Sequence, residues 1–278
     1  MISETFGLSG GVQLDCRCNA EGLPYLSSQR FSPPVHLSKP YLDHHSGSLL
    51  INLSCPTAGM LSGDRMVCDI QLNDHSSMVV TTPGATRSHF MQSGIAKVDQ
   101  SFRINDHSFL EYNPGSLILQ GSTSLHQNTL VELGENAELL FVEKIMPGRV
   151  AHGELFKFNK FSNRMKIRKD KTLILSESFS LEPDNDSIHA WKRSFPTPFY
   201  GCFYLISPRV ENSLPSRQAI HDLKNEALLI GSSQMHRNVG WMIKVLAGDA
   251  IEFRRAMKKV RSLIYNDLGR TATDFRRY

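Results

Sequence analysis

Apolar and polar residues alternate along much of this chain with a period of two. Met66, Cys68, Ile70 and Leu72 alternate with Val67, Asp69 and Gln71, and Leu173, Leu175, Phe179 and Leu181 keep a second face of the same parity. Val98 and Ile104 bracket Gln100 and Phe102 in the same way, as do Trp241, Ile243 and Val245 late in the chain. Side chains two apart share one face of a strand, so each segment predicts a strand with one face buried. From Leu49 onward such segments are short and separated by turn residues about every ten positions, the pattern of a mainly β architecture.

An internal repeat sharpens this reading. Asn73-Asp74-His75-Ser76, the apolar run Met78 to Thr82 and Pro83-Gly84 recur 32 residues later as Asn105-Asp106-His107-Ser108, Phe109 to Tyr112 and Pro114-Gly115. Glu135-Asn136, Glu138 to Ile145 and Pro147-Gly148 continue at almost the same interval with degraded sequence. Fixed periods in this range mark stacked units that bury one another's faces. The expectation is a β-helix-like, solenoid-type stack of short strands, or an elongated sandwich, with the Pro-Gly turns along one side; the alternative is a coincidence of common turn dipeptides.

Between Leu181 and Ser216 the pattern turns irregular, with Pro183, Pro196, Pro198, Pro208 and Pro215 and the polar run Asp184 to Ser187; only Cys202 to Ile206 reads as strand. Ser216 to Asn225 suits a short helix. Asp249 followed by Glu252 resembles a capping box, and Phe253, Met257, Val260 and Ile264 recur at helical spacing until Gly269. The opposite face carries Arg254, Arg255, Lys258, Lys259 and Arg261, with Arg270, Arg276 and Arg277 beyond. Such a face is either solvated or docks an acidic partner.

Length and composition allow one large domain or two modest ones; the expected division is a single domain over 1–278, with a divergent N-terminal segment (1–48), a β-rich stack (49–248) and a C-terminal helix and tail (249–278). With 278 residues, 40% of them hydrophobic and 21% charged, the chain can bury a sizeable core. A net charge of +4 is too mild to announce nucleic acid. The start, Met1-Ile2-Ser3-Glu4, lacks the basic and apolar regions of a signal peptide, and no apolar run is long enough to span a bilayer, so a cytoplasmic protein is expected. Cys16, Cys18, Cys55, Cys68 and Cys202 are odd in number and scattered, which argues for reduced thiols.

The chemistry concentrates in two stretches. An apolar strand from Leu139 runs into Glu143, and the turn at Pro147-Gly148 then brings in Arg149, His152 and Glu154. Two carboxylates and a guanidinium are expected to converge there, as a buried ion pair or as a functional site. In Ala58-Gly59-Met60-Leu61-Ser62-Gly63-Asp64, the glycines permit a tight path and Asp64 sits between turn and strand, where it caps the turn or serves a site. No phosphate loop, dinucleotide-binding fingerprint, nucleophile elbow or His-Glu-x-x-His is present.

Three motifs taken together resemble one family. Gly59 to Asp64 is similar to its gly-gly-leucine-x-gly-asp turn with Met60 in place of the second glycine. Thr81-Thr82 with Ala85-Thr86-Arg87 matches its threonine pair and downstream basic residue, with arginine where lysine is more usual. Gly148-Arg149 with Gly153-Glu154 matches its G-R-x-x-x-G-E. The family is the urease accessory protein UreD, also called UreH; Lys244-Val245-Leu246-Ala247 and the basic helix resemble its tail, while the segment holding Cys16 and Cys18 does not align.

The resemblance implies a non-enzymatic maturation factor that binds UreF, through it the GTPase UreG, and the urease apoprotein, and that conducts nickel in transit without a tightly bound cofactor. It makes Asp64, Glu143 and Glu154 candidates for the lining of a nickel path, with Arg149, Thr82, Gly59, Gly63, Gly148 and Gly153 in support. Nickel is held loosely by carboxylate, water and imidazole, and transit needs weak successive sites. The alternative is a carbohydrate-active β-solenoid enzyme using Glu143 and Glu154 as paired carboxylates, for which Trp191 and Trp241 lie far off in sequence.

Overall fold

The computed structural model describes residues 7–55, 57, 59–183 and 199–275. The chain opens with an antiparallel hairpin of β1 (Ser9–Cys18) and β2 (Pro24–Ser32). Short β3 (His36–Leu37) and β4 (Tyr41–Asp43) then lead into β5 (Ser48–Ser54). One coil follows as β6 (Arg65–Leu72), β7 (Ser77–Thr81) and β8 (Thr86–Ser88), and a second as β9 (Ala96–Ile104), β10 (Phe109–Asn113) and β11 (Leu117–Leu119). β12 (Ser124–Leu133) and β13 (Glu138–Met146) make a third, and β14 (Lys160–Lys169) and β15 (Thr172–Leu181) a closing hairpin. The remainder is β16 (Phe199–Ile206), helix α1 (Arg217–His221), β17 (Leu228–Gln234), β18 (Gly240–Ala247) and helix α2 (Ala250–Asp267).

Successive coils place equivalent strands side by side, parallel and in register. One sheet runs β15-β14-β12-β9-β6-β1-β2, and the other runs β17-β18-β16-β13-β10-β7-β5-β3. The protein is therefore mainly β, a solenoid-like stack with a C-terminal helix, as the repeat predicts. The repeated turns lie on one another: the Ser76 amide donates to Ser108 Oγ at 3.2 Å, and the parallel rings of His75 and His107 are 5.0 Å apart. The Pro-Gly turns stack too. Gly115 N donates to Thr82 Oγ1 at 2.7 Å, and a Cβ on Gly115 would lie 2.1 Å from the Gly84 carbonyl oxygen, so only glycine allows this approach.

Two cores result. Between the sheets lie Leu14, Ile70, Phe102, Val131 and Ile167 from one side and Ile51, Val80, Leu110, Phe141 and Tyr204 from the other. The outer face of the second sheet is covered by α2, whose Phe253, Met257, Val260 and Ile264 pack on Phe203, Ile243 and Val245. Burying each such side chain contributes roughly 1.5–3 kcal/mol. With apolar contacts on both faces, β13, β16 and β18 carry dense apolar runs rather than clean alternation. Asp249 caps α2 by accepting from the Ile251 and Glu252 amides, and the chain leaves the helix at Gly269.

Several expectations change. The segment before Leu49, for which no strand was assigned, joins the stack: β1 pairs in parallel with β6 and contributes Val12, Leu14 and Cys16 to the main core. β16 is a central strand that begins at Phe199, three residues before the strand expected from Cys202. A bulge between Ile167 and Arg168 shifts the pairing of β14 with β15, so Leu173 is 46% exposed while Ile174 is buried. The capping box is half formed, because the Glu252 carboxylate accepts from Asn225 Nδ2 instead of the Asp249 amide. Arg261 does not belong to the solvated basic face; it turns inward onto Glu111. Met1 to Glu4, Ala58, Asp184 to Ser187, Trp191, Pro196, Pro198, Arg276 and Arg277 fall outside the described residues.

Candidate functional site

Glu143 sits on β13 opposite Cys202 of β16, faces the space between the sheets and is 5% exposed. Its Oε1 accepts from Asn163 Nδ2 at 3.0 Å and from Gln127 Nε2 at 3.2 Å. Its Oε2 lies 3.1 Å from the Tyr204 hydroxyl, which is itself 2.7 Å from Oε2 of Glu177. Lys244 Nζ pairs with the other Glu177 oxygen. The single Tyr204 hydroxyl hydrogen is thus shared between the two carboxyl groups. Burial pushes the Glu143 carboxyl above its ordinary range, and Lys244 forms an ion pair with Glu177 beside it.

This series extends in both directions. Gln127 also lines an interior cavity of about 280 Å³, together with Cys55, Met60, Cys68, Thr82 and Gln100. At the far end Lys244 is 39% exposed, at the rim of the sheets. Beside Glu143 the buried Tyr200 hydroxyl lies next to the Cys202 thiol and has no oxygen or nitrogen partner among the described residues. A line of oxygen, nitrogen and sulfur donors thus runs from the cavity past Glu143 to the surface.

The expected convergence of Glu143, Arg149 and Glu154 does not occur. Arg149 donates from Nε to Glu154 Oε2 at 2.7 Å and pairs with Oε1 as well, on a turn where the two side chains are 40% and 20% exposed. The hydrogen bond from Arg149 holds the Glu154 carboxyl below its usual range. Gly148, at φ 143°, lets the Glu154 carbonyl pass where a Cβ would lie 2.2 Å away, and Gly153 closes the short 3-10 turn Val150–His152. Glu143 and Glu154 thus serve different partners, Glu143 in the core and Glu154 on the turn.

Asp64 stands apart again. Its Oδ1 accepts from the Leu8 amide and its Oδ2 from the Leu61 amide, both at 2.7 Å, so it ties the Gly59 to Gly63 turn to the start of β1. Thr82 Oγ1 likewise bridges stacked turns, donating to the Gly84 carbonyl at 2.8 Å. Among the described residues no three His, Cys, Asp or Glu side chains converge as a cage for an ion.

Two buried acids and one half-buried one escaped the sequence reading. Glu111 is 0% exposed and accepts from Arg261, Tyr265 and Asn113; Glu138 accepts from Arg270 at 2.7 Å and Ser207 at 2.6 Å. Glu177 is the third. Its position between Leu175 and Phe179 on the inward face of β15 was a usable signal, as was Arg261 between Met257 and Ile264 at helical spacing.

Fold and interior together define a solenoid-like β scaffold with a polar line threaded through its core. The sequence model described as UreD urease accessory protein matches residues 9–277. The chain is 32% identical over 271 residues, 97% of its length and 98% of the relative's, to the urease accessory protein UreD of Opitutus terrae. It is 21% identical over 246 residues to the protein of the same name from Acetivibrio thermocellus, covering 88% of this chain and 94% of that one. It is 25% identical over 179 residues to the urease accessory protein UreH of Helicobacter pylori strain P12, covering 64% and 67%. The chain belongs to the UreD family of urease accessory proteins.

Proposed function

We propose that this protein is a non-catalytic scaffold of urease maturation, which binds the urease apoprotein and a UreF-like partner, through it the GTPase UreG, and conducts nickel toward the urease active site. The observation that carries this reading is the continuous series of polar groups from Gln127, at the wall of a mainly apolar cavity, to Glu143, Tyr204, Glu177 and the rim at Lys244. A divalent ion needs such loosely binding, successive groups to move, and a closed cage would retain it. Glu143 is the central way-station. Asp64 and Glu154 hold the turns at the ends of the coils, with Arg149 keeping Glu154 ionised and in place, and act as outlying carboxylates of the same scaffold. Five unpaired thiols suit a reducing compartment, and the cytoplasm is part of this reading. No helix among the described residues is long and apolar enough to cross a membrane.

The test is co-expression with the urease subunits and the other accessory proteins of the same genome, carrying Glu143→Gln, Glu177→Gln, Glu154→Gln or Asp64→Asn. Nickel content and urease activity are measured beside complex formation by gel filtration. Glu143→Gln and Glu177→Gln should leave the complex intact and lower nickel loading. Unchanged loading in both would remove the interior series from the mechanism.

A further inference from the structure

Outside that series, a groove of about 880 Å³ opens between α2, the tail that follows it and the outer face of the second sheet. Its volume lies within the roughly 300–1,000 Å³ of ordinary ligand sites. The walls are apolar, from Phe203, Phe253 and Met257, and the charges along it are mostly of one sign: Lys144, Arg254, Lys258, Arg261 and Arg270 against Asp274. Arg261 and Arg270 are already satisfied by Glu111 and Glu138.

Lys144 is not. It alternates with Glu143 on β13, so it points to the opposite face of the sheet, into the groove. Its ammonium donates to Asn113 Oδ1 at 2.6 Å and to the Pro114 carbonyl at 2.9 Å, both neutral, and no carboxylate of the described residues forms an ion pair with it. Burial pushes this amine down to about 8. The nearby Glu111 carboxylate is already paired with Arg261, so this half-buried cation has no ion-pair partner of its own among the described residues.

We propose that the groove is a docking site for an acidic peptide segment of a partner protein, one carboxylate seating on Lys144, an adjacent apolar side chain against Phe253 and Met257, and outer carboxylates facing Arg254 and Lys258. This rests on the reading of the chain as an assembly scaffold and is separate from the nickel path, because the groove lies on the other side of the sheet from Glu143. Charge complementarity selects the occupant. A nucleic acid would need a longer basic track than a groove of this size offers, and the chain carries only +4 overall.

The test uses the full chain and an array of twelve-residue peptides tiling the urease subunits and the other accessory proteins encoded with it. Bound peptides should carry Asp or Glu beside a large apolar residue, and replacing the acid by its amide should abolish the signal. Lys144→Met should weaken affinity for the best peptide at least tenfold, and the surface variant Arg254→Glu with Lys258→Glu should do the same with a reduced salt dependence. Nickel loading by Glu143→Gln, measured separately, reports on the path and not on the groove. Three results would each overturn the proposal: no peptide bound by the parent, bound peptides without carboxylate preference, or equal binding by both variants when their melting temperatures match the parent. Tighter binding of a single-stranded oligonucleotide than of any peptide would overturn it as well.

Discussion

The Arg261 guanidinium grips the Glu111 carboxylate through two N–H donors, at 2.6 and 2.7 Å, across 150 residues of sequence. Tyr265 donates to the same carboxylate from the next turn of the helix, and the guanidinium stacks 4.7 Å from that ring. This ion pair fixes α2 in register on β10. Removing one partner leaves the other buried and uncompensated, so Arg261→Met or Glu111→Leu should each cost about 3–5 kcal/mol. The double variant should recover much of that loss, and urea denaturation of all four proteins gives the coupling directly.

Glu143→Gln should cost little stability and should flatten one part of the pH profile. Glu143 accepts from two amides and from the Tyr204 hydroxyl, and glutamine keeps an acceptor carbonyl on a side chain of the same shape. Its folded value is raised by burial, so the native state holds a proton that the unfolded chain loses near its ordinary value of about 4.3. Stability from this group is complete below that value and is lost as pH rises through the folded value. Thermal denaturation from pH 4 to 8 should show the parent falling more steeply than the variant; parallel curves would place the proton elsewhere.

Lys144 gives the opposite slope at the basic end. Its folded value of about 8 lies below the ordinary 10.5, so between these the unfolded chain binds the extra proton and native stability rises with pH. The rise should vanish in Lys144→Met, measured by urea denaturation between pH 8 and 10.5.

Deleting residues 249–278 should leave a protein that aggregates. The helix covers Phe203, Ile243 and Val245 on the outer face of the second sheet, and their exposure creates a contiguous apolar patch. Light scattering and soluble yield of the truncated chain, alone and with its partners, measure the effect. Soluble monomer at the parental yield would mean that the helix is dispensable for the second core.

The stack itself was legible because its cause is local: each coil repeats a turn, and the stacking of His75 on His107 is written as a repeated tetrapeptide. What escaped notice depends on position across the fold. Arg261 looked like one more residue of a basic face because its partner lies on a strand that nothing nearby in sequence announces. On β15 only Leu173 was misplaced, because a bulge against β14 shifts the alternation there; Leu175, Phe179 and Leu181 keep the expected face, and Glu177 shares it. Glu143 was recognised as a buried acid, but the turn after Gly148 carries Arg149 away to Glu154, and the partners Glu143 does find come from strands before and after it in the chain.

Both ends of the seven-stranded sheet finish on an antiparallel strand, β2 at one and β15 at the other, while everything between them runs parallel. Duplicating one 32-residue unit anywhere inside would add a strand to each sheet, widening the stack by about 4.8 Å per strand, and leave the two terminal hairpins as they are. Size in this architecture is therefore counted in whole coils, and the span from the cavity to the Lys244 rim can change between relatives only in such steps.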